Sequence, residues 1–143
     1  MTTVALRLLR GFCVGLLALG LSSCGQDSLK FTAIDITGAD YGGDFSLADQ
    51  NGRVRSLADF RGKVVMVFFG YTQCPDVCPT SLTEMAQIKS KLGADGDKFQ
   101  GVFVTVDPER DRPDILKAYM ANFDPSFLAL VPSVDQLPAV MKN

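Results

Sequence analysis

The chain has 143 residues, of which 47% are hydrophobic and 21% charged, so it is long enough for one domain and has the composition of a folded chain. Its formal net charge is -2 and it has no basic cluster, which argues against a nucleic-acid partner bound through its phosphates. Histidine is absent, so the commonest general base and the commonest metal ligand are both missing.

The first 23 residues have the layout of a signal peptide. Arg7 and Arg10 precede an apolar run at residues 11–21, and two serines follow it. The run has about a dozen residues, fewer than the roughly 20 that a membrane-spanning helix needs, so a transmembrane anchor is the weaker interpretation. We therefore expect an exported protein, at the periplasmic or another extracytoplasmic face of a bacterial membrane.

Cys24 follows directly after this segment. Residues 21–24 (LSSC) resemble a bacterial lipobox, which predicts that Cys24 carries a lipid anchor and that residues 24–30 form a short tether to the membrane. The alternative is an ordinary cleavage site with an incidental cysteine. A partial domain is then expected over residues 31–143.

A β-hairpin and a buried strand are predicted next. Residues 44–48 and 53–57 flank Asn51-Gly52, a strong hairpin-turn signal because both positions accept positive φ. Residues 63–69 (KVVMVFF) form a continuous apolar run between glycines. Such a run is typical of a strand that is buried on both faces.

Helices and strands alternate in the rest of the chain. Apolar residues recur at helical spacing from Pro79 to a stop at Gly93, and again from Pro113. The apolar runs at 101–106 and 127–131 predict two more strands. The order strand, helix, strand, helix indicates a parallel unit inside an α/β sandwich.

A last helix is predicted near the end of the chain. Ser133 and Gln136 have the spacing of a capping box, which indicates a helix beginning at Ser133. Pro138 would then lie several residues inside that helix, where it removes a backbone hydrogen bond or forces a kink.

Cys74 and Cys78 lie where the first buried strand passes into a helix. A helix start carries free N–H groups and partial positive charge, which favour a thiolate, and the four-residue spacing places both sulfurs on one side. Soft thiolates select Cu(I) and also hold Zn(II). Because Cys13 lies in the segment expected to be removed and Cys24 in the lipobox, these two are the free thiols of the mature chain. A stabilising disulfide is the alternative, although so short a loop gains little from one.

Two long stretches, residues 44–82 and 103–125, resemble the Sco/SenC family of copper-delivery proteins, with the motifs FGYT, CPDVCP and VDPERD. The resemblance implies a thioredoxin-like α/β fold, a three-layer α/β/α sandwich with an N-terminal β-hairpin. It also implies copper, Cu(I) or Cu(II), bound by Cys74 and Cys78, which can form a redox-active disulfide. Asp107 matches an acidic residue near the site that orients the ligands or their loop; alternatively, it is a turn residue before Pro108.

Besides Pro138, two features depart from the family pattern. Family members use a third copper ligand, a histidine after the second helix, and this chain has none. Arg112 replaces a frequent threonine, so a helix cap is lost unless Asp111 substitutes, and residues 109–112 are expected to form a solvated charged loop or a docking surface. We expect that the C-terminal part of the fold is missing, that a sheet edge is exposed, and that the site takes Cu(I) but holds Cu(II) poorly.

Two functions compete. The first is a copper metallochaperone, not an enzyme, which passes copper to an acceptor subunit of a terminal oxidase for assembly of the cytochrome c oxidase copper centre. The alternative is a thiol-disulfide reductase that keeps the acceptor's cysteines reduced, one cysteine attacking and the other resolving. A peroxiredoxin-like peroxidase is disfavoured because the sequence around the cysteines lacks that family's Thr-x-x-Cys context.

Overall fold

The computed structural model of the protein describes residues 32–39 and 43–142. The predicted signal peptide, the lipid anchor at Cys24 and the tether lie outside these residues. The chain divides into two units, Met1–Ala39 and Asp40–Asn143. In the described part of the first, residues 32–39, Thr37 donates hydrogen bonds to the Asp35 carboxyl group from its backbone N–H and its hydroxyl. Over both described ranges, no helix has the length and apolar character needed to span a bilayer.

The second unit contains an α/β fold. Within residues 43–142 its strands are β1 (Leu47–Asp49), β2 (Val54–Arg55), β3 (Val64–Gly70), β4 (Phe99–Thr105) and β5 (Leu128–Val131). Its α-helices are α1 (Val77–Lys91), α2 (Pro113–Met120) and α3 (Leu137–Val140), and 3-10 helices cover Leu57–Phe60 and Gly93–Lys98.

The five strands form one sheet in the order β2-β1-β5-β4-β3. β3, β4 and β5 are parallel to one another, whereas β1 runs antiparallel to both β5 and β2. The parallel pairing of β3 with β4 across the connecting α1 confirms the unit predicted from the order of elements.

The predicted hairpin is present, but its turn differs from the expectation. Among the described residues only glycines have positive φ, so Gly52 (φ 79°) takes the left-handed conformation and Asn51 does not. The buried Asp49 carboxyl group accepts hydrogen bonds from the backbone N–H groups of Asn51 and Arg53, at 2.8 and 3.0 Å. These bonds hold a loop that requires one left-handed residue rather than two.

The prediction that the first apolar run is buried on both faces is wrong. β3 is the outermost strand of the sheet and, within the described residues, pairs with β4 alone. Val67 and Phe69 are each 43% exposed, whereas all seven residues of β4 are buried. Both runs have the composition of buried strands, but the order of pairing decides which of them lies at the edge.

Two apolar clusters lie on opposite faces of the sheet. The larger one lies under α1 and α2 and consists of Leu82, Met85, Phe99, Phe103, Leu116, Met120, Phe127 and Ala129. The smaller one lies under the first 3-10 helix and α3 and consists of Leu47, Phe60, Val102, Val104 and Leu130. The sheet is thus the middle layer of the predicted three-layer arrangement.

The helix ends differ from the predictions by a few residues. α1 begins at Val77, two residues before Pro79, and Gly93 follows its end with φ 54°. The capping box forms, since Ser133 N–H donates to Gln136 Oε1 at 3.0 Å and Gln136 N–H to Ser133 Oγ at 3.3 Å. However, α3 begins only at Leu137, so Pro138 lies in its first turn, where its missing N–H costs nothing and no kink is required.

Candidate metal-binding and redox site

Cys74 lies in the turn after β3, and Cys78 is the second residue of α1. Both are free thiols and both are buried, with 8% and 3% of their surface exposed. The three residues between them are exposed, and Val77 is 62% exposed. The two buried cysteines therefore flank a short exposed segment.

The sulfurs are brought together by a turn and not by a shared helical face. Cys74 precedes α1, in a turn closed by its N–H donating to the Tyr71 carbonyl at 3.2 Å, and Cys78 is the second residue of α1. The Cys78 backbone N–H donates to Cys74 Sγ at 3.4 Å. The sulfur of Cys74 thus lies against the free N–H groups at the helix start, as the sequence predicted.

The two thiols differ in acidity. Hydrogen bonds from the Cys78 thiol and from the backbone N–H groups of Cys78, Asp76 and Val77 lower the pKa of Cys74, against the opposing effect of desolvation. Burial raises the pKa of Cys78, and its hydrogen bond to Cys74 and the charge of Asp111 act in the same direction. Cys74 is therefore the first of the pair to form a thiolate, and Cys78 retains the shared proton.

This difference predicts the pH dependence of alkylation. Because a lowered pKa gives thiolate at lower pH, Cys74 should react with iodoacetamide below the pH range of an ordinary cysteine, and Cys78 only above it. Mass spectrometry of peptides from the reduced protein, alkylated across a series of pH values, measures both curves. If Cys74 and Cys78 showed the same pH dependence of alkylation, the assignment of the lower pKa to Cys74 would be contradicted.

Gly70 provides the space for Cys78. An added Cβ at Gly70 would lie 3.0 Å from Cys78 Sγ and 2.8 Å from the Phe103 ring. The last residue of β3 has no room for a side chain, because the Phe103 ring, the Cys78 sulfur and the Phe68 ring surround that position. From the sequence alone, Gly70 is recognisable only as the boundary of the strand.

The two aspartates after β4 have different environments. The carboxyl group of Asp107 pairs with Arg110 Nε at 2.5 Å on the protein surface, and its predicted role at the site stays a prediction. Asp111 is 1% exposed, so the expectation of a solvated loop is wrong at this residue. It does not cap α2 either, since its carboxyl group accepts hydrogen bonds from Thr72 and Thr105, and the N-cap residue of α2 is Arg112, which forms no side-chain cap.

The hydroxyl group of Tyr119 is also buried. Tyr119 Oη is buried without a hydrogen-bond partner among the described residues, while its ring packs against Phe103 and Phe123. Burial raises the pKa of Tyr119 to about 12, and the nearby charges of Cys78, Cys74 and Asp111 add to this. The hydroxyl group thus stays protonated at neutral pH.

The two sulfurs are the candidate metal ligands that the structure brings together. Within residues 32–39 and 43–142, no group of three or more His, Cys, Asp or Glu side chains is placed to hold a metal ion. Two adjacent thiolates suit Cu(I), a soft ion that accepts few ligands, better than Cu(II), which favours nitrogen and oxygen ligands. The residues present therefore fit copper in its reduced state.

The chain is similar to known proteins over most of its described length. A family model described as SCO1/SenC matches residues 35–143. The SCO2-like protein of Rickettsia felis is 41% identical over 99 residues, which are 69% of this chain and 48% of that protein. The mitochondrial SCO2 homologue of Mus musculus is 45% identical over 103 residues, 71% of this chain and 40% of that protein. The chain thus spans less than half the length of either relative.

Solved structures match the same region. ScoI of Bradyrhizobium japonicum with copper bound has a TM-score of 0.66 at 44% identity, covering 71% of this chain and 64% of that one. Copper-bound yeast Sco1 has a TM-score of 0.66 at 35% identity, covering 71% and 56%. BsSco, a member of the Sco family of cytochrome c oxidase assembly proteins in which a disulfide switch was identified, has a TM-score of 0.58 at 26% identity, covering 70% and 59%. The fold is therefore thioredoxin-like, as expected.

Proposed function

Because the chain belongs to the SCO1/SenC family, we propose that it is a copper-binding metallochaperone that delivers copper for assembly of the cytochrome c oxidase copper centre. Two similar structures contain copper, and a third belongs to a protein of a family of oxidase assembly proteins. The proposed partner is a copper-acceptor subunit of a terminal oxidase.

One observation carries this proposal: two free, buried thiols meet at a helix start, with the Cys78 N–H 3.4 Å from Cys74 Sγ. Cys74 has the lowered pKa and supplies the first thiolate for Cu(I), and Cys78 gives up its proton as it becomes the second ligand. The exposed loop between the cysteines lets an acceptor approach. The ligands of the acceptor replace the two thiolates one at a time, so the copper ion is never released into water.

Anaerobic titration with Cu(I) tests the proposal directly. The reduced protein should bind one Cu(I) per chain in competition with a chelator, while Cu(II) should bind weakly because imidazole is absent. An insulin-reduction assay is run on the same preparation. Rapid insulin reduction without Cu(I) affinity would overturn the metallochaperone and favour the second function.

That second function is thiol-disulfide reduction of the acceptor's cysteines, and the unequal pKa values of the two thiols favour it. The Cys74 thiolate would attack the acceptor disulfide and form a mixed disulfide, releasing one acceptor thiolate. Cys78 would then attack Cys74 Sγ and release the second, so that two electrons pass to the acceptor and Cys74–Cys78 becomes a disulfide. Reduced thiols are also a precondition of copper binding, so both activities are compatible in one protein.

We also propose that the mature protein is exported and held at the membrane by a lipid on Cys24. Support comes from the sequence pattern of residues 11–24 alone. Mass spectrometry of the protein purified from a membrane fraction should show a chain that starts at Cys24 and carries a diacylglycerol mass on that residue. An unmodified Cys24, or an intact Met1, would contradict the anchor.

A further inference from the structure

Asp111 is one of the buried charged residues of the described structure, and neither proposed function uses it directly. It lies between β4 and α2, and its surface is 1% exposed. Placing a carboxyl group in the interior is unfavourable unless hydrogen-bond donors surround it. The donors around Asp111 therefore indicate what it does.

Three donors from two segments surround the carboxyl group. Thr72 donates its hydroxyl at 2.5 Å and its backbone N–H at 3.1 Å, and Thr105 donates its hydroxyl at 2.6 Å. Thr105 is the last residue of β4, and Thr72 lies two residues before Cys74. Asp111 thus connects the end of β4 to the turn that carries the first cysteine.

The same turn fixes the backbone of the first cysteine. The Cys74 N–H donates to the Tyr71 carbonyl at 3.2 Å, and the Cys74 sulfur accepts a hydrogen bond from the Cys78 N–H at 3.4 Å. Thr72 lies between Tyr71 and Cys74 in the chain. A shift of Thr72 therefore moves the Cys74 sulfur relative to Cys78.

We infer that Asp111 is a positioning residue for the two-thiol site, which sets the separation of Cys74 and Cys78 by fixing Thr72 against Thr105. The inference rests on the proposed function, in that the pair is the working site, but it concerns the geometry of the thiols and not the identity of the acceptor. Without the carboxyl group, the partly buried Thr72 N–H would lose its acceptor, and the turn would rearrange to satisfy it.

The test is Asp111→Asn, compared with Asp49→Asn. Asp49 is also 1% exposed and accepts hydrogen bonds from its own turn, but it lies in the hairpin on β1, away from the thiols. Both variants exchange one carboxylate oxygen for an amide NH₂, which cannot accept a bond from a backbone N–H. Both should lower the midpoint of thermal unfolding, so loss of stability alone does not distinguish them.

The readouts are two properties of the folded site. The first is the equilibrium constant for Cys74–Cys78 disulfide formation against oxidised glutathione, in which one disulfide forms and two glutathione thiols are released. The second is Cu(I) affinity. For Asp111→Asn we expect about a tenfold change in the equilibrium constant, equivalent to about 30 mV, and a loss of about 10- to 100-fold in Cu(I) affinity. Asp49→Asn should leave both near wild type.

The outcomes separate this inference from the proposed function. Equal readouts in Asp111→Asn, Asp49→Asn and wild type would overturn the positioning role. A wild-type protein that binds no Cu(I) would overturn the copper proposal, while the disulfide equilibrium would still test Asp111. If Asp111→Asn does not fold, Thr105→Val removes one of the three bonds with little change of shape. It should shift the disulfide equilibrium in the same direction by a smaller factor, and no shift would overturn the inference.

Discussion

Replacement of Cys74 or Cys78 by serine is expected to abolish tight Cu(I) binding. Among the described residues no His, Cys, Asp or Glu side chain joins the pair in a three-ligand group, so one of the two sulfurs would remain, and a hydroxyl is a poor ligand for a soft ion. The affinity should fall by more than about 100-fold, because even the loss of a group that only supports a ligand costs about 10- to 100-fold. Anaerobic competition with a Cu(I) chelator measures the loss.

Val77→Ala is the matched control for both cysteine variants. Val77 lies between the two cysteines and is largely exposed, so its shortening leaves both thiols and the buried contacts in place. Its Cu(I) affinity should equal that of the wild type. If Cys78→Ser kept wild-type affinity, the pair would not be the ligand set, and the metallochaperone proposal would lose the observation that carries it.

A methyl group added at Gly70 is expected to damage both stability and the thiol site. In Gly70→Ala the new Cβ would lie 3.0 Å from Cys78 Sγ and 2.8 Å from the Phe103 ring, so the sulfur and the ring must both move. Overpacking of this kind costs about 1–3 kcal/mol in the free energy of unfolding. Displacement of the sulfur should also weaken Cu(I) binding and change the glutathione equilibrium of the pair.

Gly101→Ala provides the control for that experiment. A Cβ at Gly101 would lie 2.7 Å from the Phe127 ring, a similar clash in the neighbouring strand, but it meets no cysteine. Urea unfolding should show that both variants are destabilised, whereas only Gly70→Ala should change the thiol equilibrium and the Cu(I) affinity. If Gly70→Ala lost stability but kept both thiol properties, the sulfur would have another position that serves equally well.

Much of the site could be predicted from residues close together in the chain. Cys74 and Cys78 are four residues apart at the junction of a strand and a helix, and the structure brings their sulfurs together there. The helix start that lowers the pKa of Cys74 is also local, since its N–H groups belong to residues 76–78. The parallel pairing of β3 and β4 follows from the helix between them, because a crossover of this kind joins parallel strands.

Contacts between distant parts of the chain could not be predicted from local sequence patterns. Thr72 and Asp111 are 39 residues apart, and nothing in the charged run 109–112 distinguishes the buried Asp111 from its exposed neighbours. The position of β3 at the edge of the sheet could not be predicted either, because its apolar composition matches that of β4, which lies inside the sheet. The fold class, the family resemblance and the thiol pair could all be inferred from the sequence, since residue spacing and helix starts act within a few residues. The strand order, the burial of Asp111 and the deeper burial of Cys78 than of Cys74 became clear only from the tertiary structure. Each of these properties depends on which distant segments of the chain pack together.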